Sequence, residues 1–271
     1  MRTGMIRVQA LGMLVALLLG AGLAAQSTPA RAADLEEPAA PLVPEEFDKR
    51  WKFAGAVYLW AAGIDGTMAG DGLGPAKVHA TFGDILSDLN GAIMATGEVR
   101  YERFGLYTDV VYTSIEASGS GPAGLLRLKA TNDSAVATAM GVYRALEVDN
   151  SSLDVMAGAR LWYVDTELEL KGPRRVLAKR EISETWVDPM IGMRARLQGD
   201  TPFYVMTQAL IGGFGAASSI DGDLIGIFGY EVNKHVSLVA GYRAYGVDYK
   251  SGDFEYDVIQ HGPVIAGVIN F

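Results

Sequence analysis

The chain has 271 residues, with 23 Lys and Arg against 32 Asp and Glu, a formal charge of −9, 33 Gly and no Cys. The acidic balance argues against nucleic acid as a partner. The lack of Cys excludes a disulfide scaffold, a Cys-ligated zinc site and a lipid-anchored lipoprotein.

The N-terminus reads as an export address. Arg2 and Arg7 open it, residues 8–25 carry no charge, and a polar stretch ends in Ala30-Arg31-Ala32. A positive start, an apolar core and an Ala-x-Ala site predict a signal peptide over 1–32. A membrane anchor would need ~20 apolar residues and flanking anchors. Residues 33–50 follow as an acidic, Pro-rich periplasmic tail, too polar to build a core and suited to a spacer. No other stretch reaches ~18 uncharged apolar residues, so no transmembrane helix is expected.

From Trp51 the apolar pattern repeats every second residue, the period of a strand with one apolar face. Leu153, Val155, Ala157, Ala159, Leu161 and Tyr163 share one face, and Asp154, Met156, Gly158, Arg160 and Trp162 the other. A tilted strand needs roughly 9–11 residues to cross a bilayer, about the length of this apolar face. Val187–Leu197, Phe203–Ile211, Val236–Ala244 and Ile93–Tyr101 repeat the arrangement. The strands predicted are 51–67, 91–103, 104–117, 126–146, 153–170, 181–197, 203–217, 222–232, 236–249 and 254–271. In the first, both faces carry apolar residues.

Alternate connections are tight, at 102–104, 147–152, 198–202 and 233–235, as in outer-membrane barrels with short periplasmic turns. Tyr101, Tyr143 and Tyr163 sit near the ends of apolar faces, like an interfacial girdle. The fold class expected is all-β: a closed antiparallel transmembrane β-barrel over 51–271 with about ten strands, eight or twelve being the alternatives.

The face opposite the lipid carries Glu98, Asp109, Asp154, Asp188 and Glu231 together with Arg100, Arg144, Arg160, Arg194, Arg196 and Arg243. A narrow barrel has room only for its own side chains, and unpaired charges there are costly. Two readings follow: a salt-bridge network that plugs the barrel, or a narrow pore whose arginines attract anions. The near balance of sign favours the plug.

Two connections stand apart. Residues 68–90 are too long for a plain turn; Val78–Phe82 looks extended, and Asp84–Leu89 reads as a helical turn that either folds into the barrel mouth or caps the rim. Lys171, Arg174, Arg175, Lys179 and Arg180 form a basic cluster able to meet lipopolysaccharide phosphates.

Short pieces spread over the chain carry a resemblance: Tyr58-Leu59-Trp60, Gly63-Ile64-Asp65-Gly66, Trp186-Val187-Asp188-Pro189, Gly192-Met193-Arg194, Gly212-Gly213-Phe214-Gly215, Gly241-Tyr242-Arg243 and the final Phe271. The chain resembles proteobacterial outer-membrane β-barrel proteins, akin to opacity-type and OmpA-like barrels. That resemblance implies Gram-negative outer-membrane localisation. It also implies that Ile269 and Phe271 are read by the barrel-assembly machinery; Ala266 replaces a usual Gly, and Val264 sits where a polar residue is common.

The ten-strand count is shared with the omptin proteases, whose acidic and Asp–His pairs stand near the strand tops. Here His79 lies in the first long connection with no adjacent acid in sequence, His235 in a periplasmic turn and His261 on the lipid face. None has metal-ligand spacing. Gly63-Ile64-Asp65-Gly66 and Ser219-Ile220-Asp221-Gly222-Asp223 lack the acidic spacing of a calcium loop and read as turn chemistry. No catalytic, cofactor-binding or metal-ligating residue is assigned.

The function expected is that of a non-enzymatic integral outer-membrane barrel with a structural or narrow-pore, small-solute role. The alternatives are a surface-binding barrel acting through basic outer loops, and an outer-membrane hydrolase or lipid-modifying enzyme. Expected partners are outer-membrane lipid, lipopolysaccharide and the assembly machinery; no cofactor is expected.

Overall fold

Strict alternation leaves each segment from Trp51 onward one way to separate its apolar from its polar residues, and that is a sheet with two unlike faces. A computed structural model of the chain describes residues 50–70, 72–120, 127–171 and 176–271. The expected signal peptide, the tail up to residue 49, Arg174 and Arg175 lie outside the described residues.

The strands are β1 (Trp51–Trp60), β2 (Gly63–Gly70), β3 (Leu73–Ala80), β4 (Leu89–Tyr101), β5 (Phe104–Ser120), β6 (Arg127–Val148), β7 (Ser151–Lys171), β8 (Val176–Gln198), β9 (Phe203–Gly212), β10 (Ile220–Glu231), β11 (Val236–Ser251) and β12 (Phe254–Asn270); one helix, α1, spans Phe82–Ser87. All neighbouring pairs are antiparallel, in the order β1-β4-β5-β6-β7-β8-β9-β10-β11-β12, and β12 pairs with β1 to close the barrel. β1 and β2 act as one stave. β1 pairs with 264–270 and β2 with 255–261 of the same β12, and the break falls at Ala61–Ala62. Gly262 faces that break, where a Cβ would collide with the Ala61 carbonyl oxygen. The barrel therefore has ten staves, and β3 is an extra strand folded back on β2.

The connections at 102–103, 149–150, 199–202 and 232–235 all lie at one end, called here the short-turn end. Glu102 and Asp149 make the two tightest of these turns with φ of 52° and 53°. Outward residues are apolar, among them Val57, Leu59, Leu161, Val187, Ile191, Val205 and Leu238. Aromatic clusters mark the short-turn end of this belt on six of the ten staves: Trp51 lies against Tyr101, Phe104 against Tyr143, and Phe203 against Phe228 and Tyr230. Tyr101 and Tyr143 sit there as the alternation predicts.

At the other end the rim is uneven. β6, β7 and β8 run 22, 21 and 23 residues, whereas β9 stops after 10 at Gly212. On the low side, Gly213 with φ of 81° turns the chain inward, and Ser218 is buried against the β8 wall.

α1 begins at Thr81, which caps it in a reciprocal pair with Asp84. The side-chain oxygen of Thr81 accepts from the Asp84 N–H, and the Asp84 carboxylate accepts from the Thr81 N–H. This bonding holds the Asp84 carboxyl below its ordinary range. The helix has no buried residue, so it lies on the rim and does not close the mouth.

Candidate functional site: the barrel interior

Each sequence-predicted charge lies on the inner face of its strand. Asp154 and Arg160 alternate with outward Val155 and Leu161, and Asp188 with Val187. The staves place these charges so that they bond across the interior. Near the short-turn end Arg194 of β8 donates to Glu98 of β4 and, at 2.9 Å, to Asp154 of β7. Three staves separate β8 from β4. Arg100 also donates to Glu98 (2.6 Å) and Asp154 (3.0 Å), and Arg144 to Asp154 (2.8 Å).

Higher up, Arg243 of β11 reaches Asp109 of β5 and Asp223 of β10, both at 2.7 Å, and the Tyr58 hydroxyl at 2.8 Å. Arg160 bridges to Asp221 (2.6 Å) and Asp223 (2.8 Å), and the Trp162 indole N–H donates to Asp221. Arg160, Asp188 and Asp221 are fully buried. Asp188 accepts from the Trp186 indole and from both the N–H and hydroxyl of Ser218. Arginine suits these positions because its planar fork serves two carboxylates at once.

Asp221 and Asp223 correct the turn reading of that segment. They belong to β10, on the face shared with Glu231, and complete the central network. Their parity with Glu231 was the available signal, hidden by starting the strand at 222.

Above the network the lumen is packed with aromatic rings. Trp186 stacks on Tyr249 at 4.0 Å and on Trp162 at 5.4 Å, and Trp162 meets Tyr256 edge-on at 6.0 Å. β7 and β12 are diametrically opposed in the ten-stave order, so Trp162 and Tyr256 join facing walls. Trp60, Tyr245 and Phe254 complete the layer. Each such pair stabilises by about 0.5–1.5 kcal/mol beyond the area it buries.

Below the network the interior is open. A cavity of about 770 Å³ reaches the short-turn end. Arg100, Arg144, Arg194 and Arg196 line one side, and Ile227, Val239, Val264, Ala266 and Val268 another. Arg196 pairs with Glu231 at 2.6 Å and lies 3.7 Å over the Tyr204 ring. The Nη1 of Arg100, buried beside this cavity, has no hydrogen-bond partner; leaving a buried donor unmet costs about 1–3 kcal/mol.

The histidines lie outside the lumen network. His235 bonds the Asn270 carbonyl at the short-turn end. His261 is exposed on the outer face, 2.5 Å from the Tyr242 hydroxyl. His79 does have an acid beside it: Asp65, its partner across the β2–β3 hairpin, at 2.6 Å. That hydrogen bond raises the His79 imidazole above its ordinary pKa. Among the described residues no group of three or more His, Cys, Asp or Glu is placed to hold a metal.

The basic cluster meets acids. Lys171 pairs with Glu169 and Lys179 with Glu167, and Glu167 lifts the Lys179 ammonium above its ordinary pKa. Ile269 and Phe271 lie exposed at the short-turn end of the closing strand, where the Phe271 N–H donates to the Phe53 carbonyl.

No family model and no curated protein matches the chain. Solved structures do. The outer membrane protease OmpT of Escherichia coli has a TM-score of 0.49 at 9% identity, over 83% of this chain and 97% of its own. Ail, the attachment invasion locus protein of Yersinia pestis, has a TM-score of 0.35 at 13% identity, over 83% and 100%. The transport unit of the autotransporter AIDA-I of Escherichia coli has a TM-score of 0.40 at 9% identity, over 84% and 91%. The assignment of a closed barrel rests on the strand order itself, and these likenesses carry no activity across.

Proposed function

We propose that the protein is an integral outer-membrane barrel whose lumen is plugged by its own side chains, and that it serves the envelope as a non-enzymatic, non-conducting protein. The observation that carries this reading is the contact between opposed walls, Trp162 against Tyr256, above cross-lumen bridges from Arg160 and Arg243. The apolar exterior and the aromatic clusters at its edge support placement in a bilayer. A narrow barrel whose interior is filled by side chains leaves no aqueous path.

The pairing of every central arginine with carboxylates speaks for a structural role over anion selection. An enzymatic role would need titrating groups gathered in a cleft. The Asp65–His79 pair instead stands on an exposed hairpin, its side chains 47% and 72% accessible.

The test is single-channel recording of the refolded protein in a planar lipid bilayer. The native chain is expected to insert without current steps. A Trp162→Ala, Trp186→Ala double variant, which removes the two indoles that join the facing walls, is expected to give steps or flicker. Stable, reproducible steps from the native chain would overturn the plugged reading.

A further inference from the structure

The cavity at the short-turn end has two unlike walls. The side formed by β4 to β8 is charged, through Arg100, Arg144, Arg194 and Arg196 with their carboxylate partners. Across from it, β10 to β12 carry an apolar patch of Ile227, Val239, Val264, Ala266 and Val268, bounded by Arg243 above and by Glu231 at the short-turn end. Val264, Ala266 and Val268 face inward while Ile265 and Ile269 are exposed outside, so this stretch of β12 is apolar on both faces. The outward set answers to lipid. The inward set faces a polar-walled cavity, where bare apolar surface is unfavourable in water and gains from an apolar partner.

Arg100 supplies the second observation. It is 7% exposed, lines the cavity, and its Nη1 is left without an acceptor. Nearer the mouth Arg196 is held over Tyr204 with its side chain one-third exposed, so a guanidinium edge is available to a new acceptor. Arginine edges bind carboxylate and phosphate oxygens through paired, charge-assisted hydrogen bonds. A volume of about 770 Å³ falls within the rough range of 300–1,000 Å³ for small-molecule sites.

We propose that this cavity binds an amphipathic anion, a carboxylate or phosphate head on a hydrocarbon body, entering from the short-turn end. The head lies against Arg196 and Arg100, and the hydrocarbon against Val264, Ala266 and Val268. The inference rests on the two walls, and holds or fails independently of whether the barrel conducts.

The test is equilibrium dialysis of the full chain in phosphatidylcholine nanodiscs against radiolabelled octanoate, octanol and inorganic phosphate, with empty discs subtracted. One saturable octanoate site per barrel is expected, with octanol at least tenfold weaker and inorganic phosphate unable to displace octanoate at equal concentration. Arg196→Gln should weaken octanoate at least fivefold, and Ala266→Trp, which fills the apolar side, should abolish binding. Heat-modified gel mobility reports whether each variant is folded, and Val268→Asn replaces Ala266→Trp if the latter is not. Absence of saturable octanoate binding, or equal binding of octanol, overturns the proposal. So does phosphate competing as well as octanoate, which would make the cavity a plain anion site.

Discussion

From Asp109 and Arg243 upward, the lumen closes on itself: Arg243 bridges carboxylates of β5 and β10, Arg160 of β7 holds two carboxylates of β10, and four indole and phenol rings stack from wall to wall. Beneath Asp109 and Arg243, past Glu98 and Arg100 to the short-turn end, the same ten staves leave about 770 Å³ open. The staves carry bulky rings in the upper part, Trp60, Trp162, Trp186, Tyr245, Tyr249 and Tyr256, whereas in the lower part β1 and β12 turn only short residues inward, Ala54, Ala56, Ala266 and Val268. Barrel radius is fixed by strand number and stagger, so side-chain volume alone decides where such a lumen is filled. The lesson is that one barrel can be a sealed core along part of its axis and a solvent-facing receptacle along the rest.

The largest expected effect sharpens that contrast. Arg160→Met strands Asp221 and weakens the hold on Asp223 in the sealed part, and should cost about 3–5 kcal/mol in urea unfolding from lipid vesicles. Adding Asp221→Asn should recover part of the loss. If both variants were as stable as the native chain, the upper network would not be the core it is taken for. Outside the lumen, Thr81→Ala removes the cap of α1 and should cost about 1 kcal/mol, seen as faster hydrogen exchange at Asp84 and Ile85 with no change in global unfolding.

Arg196→Gln, in the open part, should cost under about 1 kcal/mol, since its ion pair with Glu231 is partly solvated. A loss as large as that of Arg160→Met would erase the distinction between the two parts. The smallest effect is a titration. Asp65 raises the folded pKa of His79. The pair's contribution to the β2–β3 hairpin is therefore complete below the unfolded imidazole pKa and is lost as pH rises through the folded one. Exchange protection of Asp65 and His79 should fall across that window while that of Trp162 and Arg160 holds. Asp65→Asn should bring the His79 midpoint, read by NMR, down toward the ordinary value.

Much of this architecture was legible in the alternation. The inner placement of Asp154, Arg160, Asp188 and Arg243 followed from period two, because an apolar exterior leaves the polar parity only the lumen. What escaped had physical reasons. Asp221 and Asp223 flank Gly222 beside a Gly-rich turn, and a short polar segment with glycine looks like a turn until its cross-lumen partners are known. Of β3 only the end from Val78 was legible as extended; its start escaped because Gly74, Pro75 and Ala76 carry no alternating pattern, and its pairing with β2 supplies the order that its side chains do not. The aromatic layer needed the register: Trp162 and Tyr256 are far apart in sequence, and only the closed strand order sets them face to face.

The seam between β1 and β12 differs in kind from the other joints of the wall. Every other joint between staves joins neighbours in chain order, whereas this one sets the β1–β2 stave against β12: Ala54 meets Asn270, Trp60 meets Val264, and farther up Asp65 meets Ile259. Hairpins can form one after another at low entropic cost, but the last joint must bring distant ends together, and non-local contacts of this kind set the pace of folding. Until it forms, β1 and β12 are both open edges, each able to pair with a strand from another chain. The assembly time of this protein is thus governed by a single seam, and a variant weakened there should fold late and aggregate early while its finished state remains nearly as stable.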